Sequence, residues 1–302
     1  MGVGVAILPE RGWTDVRARW SAVDRLGFDH AWTYDHLNWR WFRDKAWFAA
    51  VPTLTAAALE TSRIRLGTLV ASPNFRHPVP FAKELATLDD IAGGRLIVGI
   101  GAGAPDGLDE RALRRVPWST RERADRFAEF VELTDLLLRQ PATTFEGRYY
   151  QAHDVQFHPS SRERLPFAIA ATGPRGMRLT ARYGAYWVTT GAPNQFELLP
   201  YEAALPLVRR QVEAVDDACA ATGREPGTLR RLLVTGPMIG GVLDSVEAFR
   251  DAAGRYAEAG ITDMVLHWPR EQEPYQGRVE VLEAIAADLH AARSTAPAGA
   301  TH

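Results

Sequence analysis

Cysteine is almost missing from this chain. Cys219 stands alone among 302 residues, which excludes an internal disulfide and any zinc site built on paired cysteines. No apolar run approaches the roughly 20 residues that a membrane-spanning helix needs. The opening segment, Met1 to Pro9, reads as a short strand with no charged leader ahead of an apolar core. An excess of one charge is also missing: 35 Lys plus Arg stand against 37 Asp plus Glu, for a formal net charge of −2. No basic stripe or tail marks a nucleic-acid surface. Asp89-Asp90 and Asp109-Glu110 have no partner histidines at metal-ligand spacing and read as solvated or capping residues, so no metal site is expected. These absences make a soluble, cytoplasmic chain the default expectation, with neither nucleic acid nor membrane as partner.

What is present is regular alternation. Short apolar runs, 2–8, 30–34, 64–70, 96–100, 167–171, 185–189, 231–238 and 264–268, read as strands. Between and after them lie amphipathic stretches at 14–26, 47–60, 80–91, 120–138, 177–183, 201–222, 245–259 and 276–292, with apolar residues at three- and four-residue spacing, as in Phe127, Phe130, Val131, Leu137 and Leu138. Parallel neighbours need a long crossover, so this alternation favours parallel pairing. Eight such units predict an α/β chain folded as a (β/α)8 TIM barrel, for which roughly 250 residues is the usual size. The barrel is expected to occupy 1–293 as one domain, with an insertion after strand 4 (104–166) and a small polar tail at 294–302. The insertion reads either as a lid over the barrel mouth or as a loop packed on its wall.

In such a barrel, chemistry sits on the loops that follow the strands. Strand two runs into Tyr34-Asp35-His36, where an imidazole that titrates near neutrality adjoins a carboxylate. Strand four carries Gly99, Gly101 and Gly103 at alternate positions, which lets something planar approach the backbone. The same stretch satisfies G-x-G-x-x-A. It is not a dinucleotide fingerprint, because it follows the fourth strand and Pro105-Asp106-Gly107 breaks the chain where a phosphate-binding helix should open. After strand five, Ala171-Thr172-Gly173-Pro174-Arg175-Gly176 precedes a helix. It is either a capping turn or, with the backbone N–H groups of a helix start, an anion site. Thr189-Thr190-Gly191 follows strand six. His77 reads as a structural residue of the third loop, and His267 on strand eight faces either the cavity or a helix.

Taken together these segments resemble the luciferase-like (bacterial luciferase superfamily) flavin- and F420-dependent oxidoreductases. The match is strongest from Ile64 to Gly103, with its G-T-x-V, x-P-x-x-R-H-P, A-T-L-D and G-G-R-L-x-x-G-x-G-x-G arrangement. It continues at Phe145-Glu146-Gly147-Arg148-Tyr149-Tyr150, Ala170–Pro174 and Thr189–Gly191. The resemblance implies a ring system across the barrel mouth, its edge near Gly101, Ala102 and Gly103. A non-prolyl cis peptide would lie behind the ring at Leu69-Val70 or one residue later. The cofactor phosphate would lie along Ala171, Thr172, Gly173 and Gly176 and the Thr189, Thr190, Gly191 turn.

Tyr34-Asp35-His36-Leu37 is similar to the pair found in members that use coenzyme F420. The resemblance therefore implies F420, with FMN the alternative; Asp35 would contact the deazaflavin and His36 would exchange a proton with the substrate. An FMN enzyme would instead be an oxygen-dependent monooxygenase needing a flavin reductase as partner. A non-catalytic, carrier-like barrel is the reading from outside catalysis, and Asp35-His36 with Gly101–Gly103 argue against it. A homodimer is implied in either case. In the family's sugar-phosphate dehydrogenases a glutamate and a lysine occupy the positions of Ala104 and Ala192, which argues against a sugar phosphate here. Trp39, Trp41, Phe42 and Trp47 after strand two, with Trp268 after strand eight, instead point to an apolar or planar organic substrate. Some of these rings are expected to pack helix two or a dimer interface.

Overall fold

The computed structural model describes residues 1–105, 107–158, 164–191 and 198–295. In chain order its elements are β1 (Gly2–Ala6), α1 (Trp13–Arg25), β2 (His30–Thr33), α2 (Ala50–Glu60), β3 (Arg65–Thr68), α3 (Pro78–Ile91), β4 (Leu96–Gly101), α4 (Leu108–Leu113) and α5 (Thr120–Arg139). There follow β5 (Ala142–Glu146), β6 (Gln151–Gln156), β7 (Phe167–Ala170), α6 (Pro174–Tyr183), β8 (Gly184–Thr189), β9 (Leu199–Pro200) and α7 (Tyr201–Ala221). The chain closes with β10 (Arg230–Val234), β11 (Ile239–Gly240), α8 (Val246–Glu258), β12 (Asp263–His267) and α9 (Val279–Thr295).

Eight of these strands close a barrel in the order β1-β12-β10-β8-β7-β4-β3-β2, each neighbouring pair parallel. They are the eight apolar runs of the sequence. Parallel register is enforced by the crossover helices, whose ends carry local signals. Ser119 and Glu122 form a reciprocal capping box at the start of α5, and proline occupies the first turns of α3 and α6.

Period-two alternation along the strands divides the apolar residues into two cores. One lies between strands and helices and includes Val3, Val5, Leu66, Val98, Ile100, Phe130 and Leu266. The other fills the barrel lumen with Ala6, Trp32, Ile97, Ala168, Tyr186, Leu232 and Val265 and is roofed by Leu69, Tyr34, Phe42 and Tyr275.

The excursion between β4 and β7 resolves into three parts. Helix α5 is the crossover helix of the fourth unit. The antiparallel β5–β6 hairpin is tied to that helix: Glu129 accepts hydrogen bonds from the N–H groups of Arg148, Tyr149 and Tyr150 at 3.0, 2.7 and 3.2 Å. The short α4, which has no clear apolar periodicity, lies at the mouth.

Other departures are local. Strand β10 ends at Val234 rather than at 238, because Gly236 turns the chain with φ 105° and Ile239–Gly240 pairs with Leu199–Pro200 instead. Helix α2 starts at Ala50 rather than 47, since Trp47 belongs to an aromatic cluster and Phe48 donates its N–H to the Pro9 carbonyl. Helix α9 begins at Val279, after a loop with a cis Glu273-Pro274 bond, and runs through the two residues assigned to the tail; 296–302 lie outside the described residues.

Gly99 has a structural task. A Cβ there would lie 1.7 Å from the Thr68 carbonyl oxygen of the adjacent strand, and neither backbone can yield without breaking the barrel ladder. Gly99→Ala is therefore expected to cost more than about 4 kcal/mol. Urea denaturation measures this, and a variant as stable as the parent would refute it.

Candidate active site at the barrel mouth

His36 follows β2 at the carboxyl end of the barrel, with its side chain 27% exposed. Its Nδ1 lies 2.6 Å from Asp109 Oδ2, and the other Asp109 oxygen accepts the Leu37 N–H at 2.8 Å. A carboxylate can only accept, so it holds the proton on Nδ1 and leaves Nε2 to exchange one with a ligand. Asp109 and Glu110 are therefore not solvated or capping residues, as their sequence context implied. Both are buried. Successive helical residues diverge by about 100°, so Asp109 reaches His36 while Glu110 pairs with Arg123 of α5 at 2.7 Å and accepts the Trp118 N–H. That buried pair fixes α4 and so the carboxylate on the histidine.

Asp35 is 1% exposed, and both its oxygens are held by Arg76, at 3.0 Å from Nε and 2.7 Å from a terminal nitrogen. Arg76 in turn reaches Glu84. The arginine of the R-H-P motif thus pairs with the aspartate of the Asp-His motif across two barrel loops, an association that sequence distance conceals. His77 accepts the Val79 N–H and meets the Tyr150 ring edge-on, a structural role as expected. Burial pushes its pKa down.

His267 faces the lumen, and alternation then turns Trp268 outward. Its ring packs with the helix-side core, with the Arg19 guanidinium 5.8 Å from the ring centroid, so it is not a pocket residue as expected. Tyr34 hydroxyl lies 2.9 Å from His267 Nε2 and 3.1 Å from the Tyr275 hydroxyl. Tyr275 stacks on His267 with centroids 3.9 Å apart. Burial pushes the His267 pKa down to about 3, the Thr235 backbone pulling weakly the other way, and pushes both tyrosines up. The roof of the lumen is consequently neutral. Trp39 stacks with Phe42, Trp47 and Tyr275, and Trp41 meets Trp39 edge-on at 4.4 Å. Phe42 is buried, Trp39 and Trp47 are half-buried, and Trp41 is exposed. These rings form one apolar wall beside His36. Tyr275 was missed because it lies in a polar loop with no periodic signal.

The expected cofactor segments surround the same mouth. Leu69-Val70 is joined by a cis peptide bond, at the position the resemblance implies. Val70, Ala102 and Gly103 are half-exposed above buried strand residues. The alternate glycines, however, make room first for protein. A Cβ on Gly101 would lie 2.8 Å from Val70 Cγ2, and one on Gly103, at φ 77°, 2.4 Å from Asn74 Nδ2. Thr172 and Gly173 are exposed before α6, whose N-cap Gly173 supplies no side-chain hydrogen bond; a Cβ there would meet nothing within 4 Å. Gly176 lies against Ala171, and Arg175 pairs with Asp125. Thr189 Oγ1 donates to Gln211 at 2.6 Å and accepts the Gly191 N–H. Its hydroxyl thus shapes the turn, and Thr190 is the half-exposed member. Ala192 lies outside the described residues.

An uncapped helix start in an open rim, a neutral lumen roof and a carboxylate-held histidine are gathered at the carboxyl end of one parallel barrel, where such folds carry their chemistry. The chain belongs to the luciferase-like monooxygenase family, whose model matches residues 1–301. It is 35% identical over 213 residues to an F420-dependent glucose-6-phosphate dehydrogenase of Kineococcus radiotolerans, covering 70% of this chain and 60% of that protein. It is 32% identical over 234 residues to an F420-dependent hydroxymycolic acid dehydrogenase of Mycobacterium tuberculosis, covering 76% and 60%. The chain thus spans about 60% of the length of these relatives. In fold it is similar to an F420-dependent secondary alcohol dehydrogenase solved with an F420–acetone adduct, with TM-score 0.76, 18% identity and coverage of 94% of this chain and 98% of that one. Among the described residues no helix is long and apolar enough to cross a membrane, and no group of three or more metal-ligating side chains occurs.

Proposed function

We propose that this chain is an F420-dependent oxidoreductase that transfers a hydride between the cofactor and a small, apolar or planar organic substrate. The observation that carries the reading is His36, held by Asp109 at 2.6 Å beside the Trp39–Trp47 wall, in a chain whose relatives are named F420-dependent dehydrogenases. The mouth fits such a cofactor: the rim at Val70, Ala102 and Gly103 is open, and the α6 start offers uncapped backbone to a phosphate. Bound F420 supplies the carbon that accepts or donates the hydride.

The chain supplies the rest. Oxidising a hydroxyl to a carbonyl releases a proton with the hydride, and His36 Nε2 accepts it while Asp109 steadies the resulting imidazolium. In the reverse direction Nε2–H protonates the carbonyl oxygen. Asp35, engaged by Arg76 on both oxygens, shapes the floor under the cofactor through that arginine rather than moving a proton. The neutral Tyr34–His267–Tyr275 roof and the tryptophan wall offer an uncharged, largely apolar surface to an apolar substrate. The working unit is a homodimer in this proposal.

The family's monooxygenase description keeps FMN as the second reading, with a reductase partner and a need for oxygen. Titrating the chain with F420 and with FMN, read by quenching of cofactor fluorescence, separates them. Micromolar F420 binding with weak FMN binding is expected. The reverse preference would sink the proposal.

A further inference from the structure

A cleft lies at the opposite end of the barrel from His36. It measures about 950 Å³ and is formed where β3, β7, β8 and β10 begin. Strand β8, six residues long, separates it from the Thr189 turn by roughly 20 Å. Its lining contains Arg65, Arg164, Arg182, Arg224 and Arg230 and, among the described residues, no carboxylate. Arg230 is neutralised by buried Asp263, at 2.8 and 2.6 Å, and Arg164 shares Asp135 with Arg139. Arg65, Arg182 and Arg224 have no carboxylate within ion-pair distance among the described residues.

The five guanidinium groups are also held in place. Arg164 and Arg182 lie over the Tyr183 ring, 5.4 and 5.1 Å from its centroid. Arg230 lies over Tyr186 at 5.4 Å, and Arg65 donates to the Tyr186 hydroxyl at 3.2 Å. Arg224, in the same lining, is anchored on the carbonyls of Ala181, Gly184 and Thr228 at 3.2, 2.6 and 3.0 Å and on the Thr228 hydroxyl at 3.0 Å. Burial lowers its pKa, with Cys219 opposing and Arg164 adding a smaller push in the same direction. Guanidinium groups fixed on aromatic faces lose little freedom on binding and match phosphate oxygens bidentately.

We infer that this cleft binds a small diphosphate, one phosphoryl group on each tyrosine-supported arginine pair and Arg224 between them. Two linked phosphoryl groups answer both the surplus of positive charge on Arg65, Arg182 and Arg224 and the division of the lining between two tyrosine supports. The site is independent of the reaction at the mouth.

Isothermal titration of the full chain with inorganic pyrophosphate, at constant ionic strength, is expected to show one saturable site. The double variant Arg65→Gln/Arg182→Gln should weaken that binding about tenfold or more while F420 titration is unchanged. Arg182→Glu alone, at an exposed position, gives the same direction should the double variant fold poorly. Absence of saturable binding overturns the inference. So does pyrophosphate binding that survives both variants, which would place it at the α6 start instead, and so does inorganic phosphate binding as tightly as pyrophosphate.

Discussion

His36→Ala is expected to lower turnover by about 10²- to 10⁴-fold, the usual contribution of a positioned general acid–base group, with F420 affinity little changed. The imidazole is partly exposed at the mouth beside Trp47 and is held by Asp109 through Nδ1. Removing it takes away the proposed proton acceptor and leaves the rim at Val70, Ala102 and Gly103 intact. Asp109→Ala should fall between the two, about 10- to 100-fold below the parent, because Nε2 remains but its orientation and tautomer are no longer imposed. Asp109→Glu should recover part of the loss. Steady-state kinetics with direct cofactor titration decides this. Parental kcat in His36→Ala would remove the histidine from the mechanism, and a loss confined to KM in Asp109→Ala would reduce the aspartate to a substrate contact.

The second large effect is on stability in acid. His267 is fully buried with its pKa held near 3, against 6.5 for the free side chain. Below pH 6.5 the unfolded chain takes up a proton at this residue that the folded chain refuses until about pH 3. The stability this residue lends is thus complete above pH 6.5 and is lost as pH falls from 6.5 towards 3. The full loss amounts to about 4–5 kcal/mol. His267→Gln keeps a partner for the Tyr34 hydroxyl and does not titrate, so its stability should fall less steeply over the same window. Urea denaturation of both chains between pH 7 and pH 4 gives the difference directly, free of the carboxylates that titrate in both. Parallel curves would mean that His267 is protonated, or solvated, in the folded state.

Much of the architecture was legible before any tertiary contact was known. The alternation of short apolar runs with three- and four-residue periodicity determined eight parallel strands and their crossovers, because burial on one face or two leaves a period in the chain itself. The family resemblance put a cis bond at Leu69-Val70 or one residue later, where the first position holds it, and strand order put His36 at the mouth. What the sequence could not decide was pairing. Asp109 looked solvated because its partner lies 73 residues away, and Asp35 looked available because Arg76 reaches it from another loop. Period two says that His267 and Trp268 face opposite ways but not which faces in; only barrel closure, bringing Tyr34 and Tyr275 against His267, chose. The alternate glycines of β4 read as room for a ligand and proved first to be room for Thr68, Val70 and Asn74. The same holds for the five arginines of the basal cleft, spread from 65 to 230 and unremarkable until the strand starts gather them. Local chemistry writes its own period into a chain, whereas an ion pair between distant loops exists only once the backbone has brought both ends together.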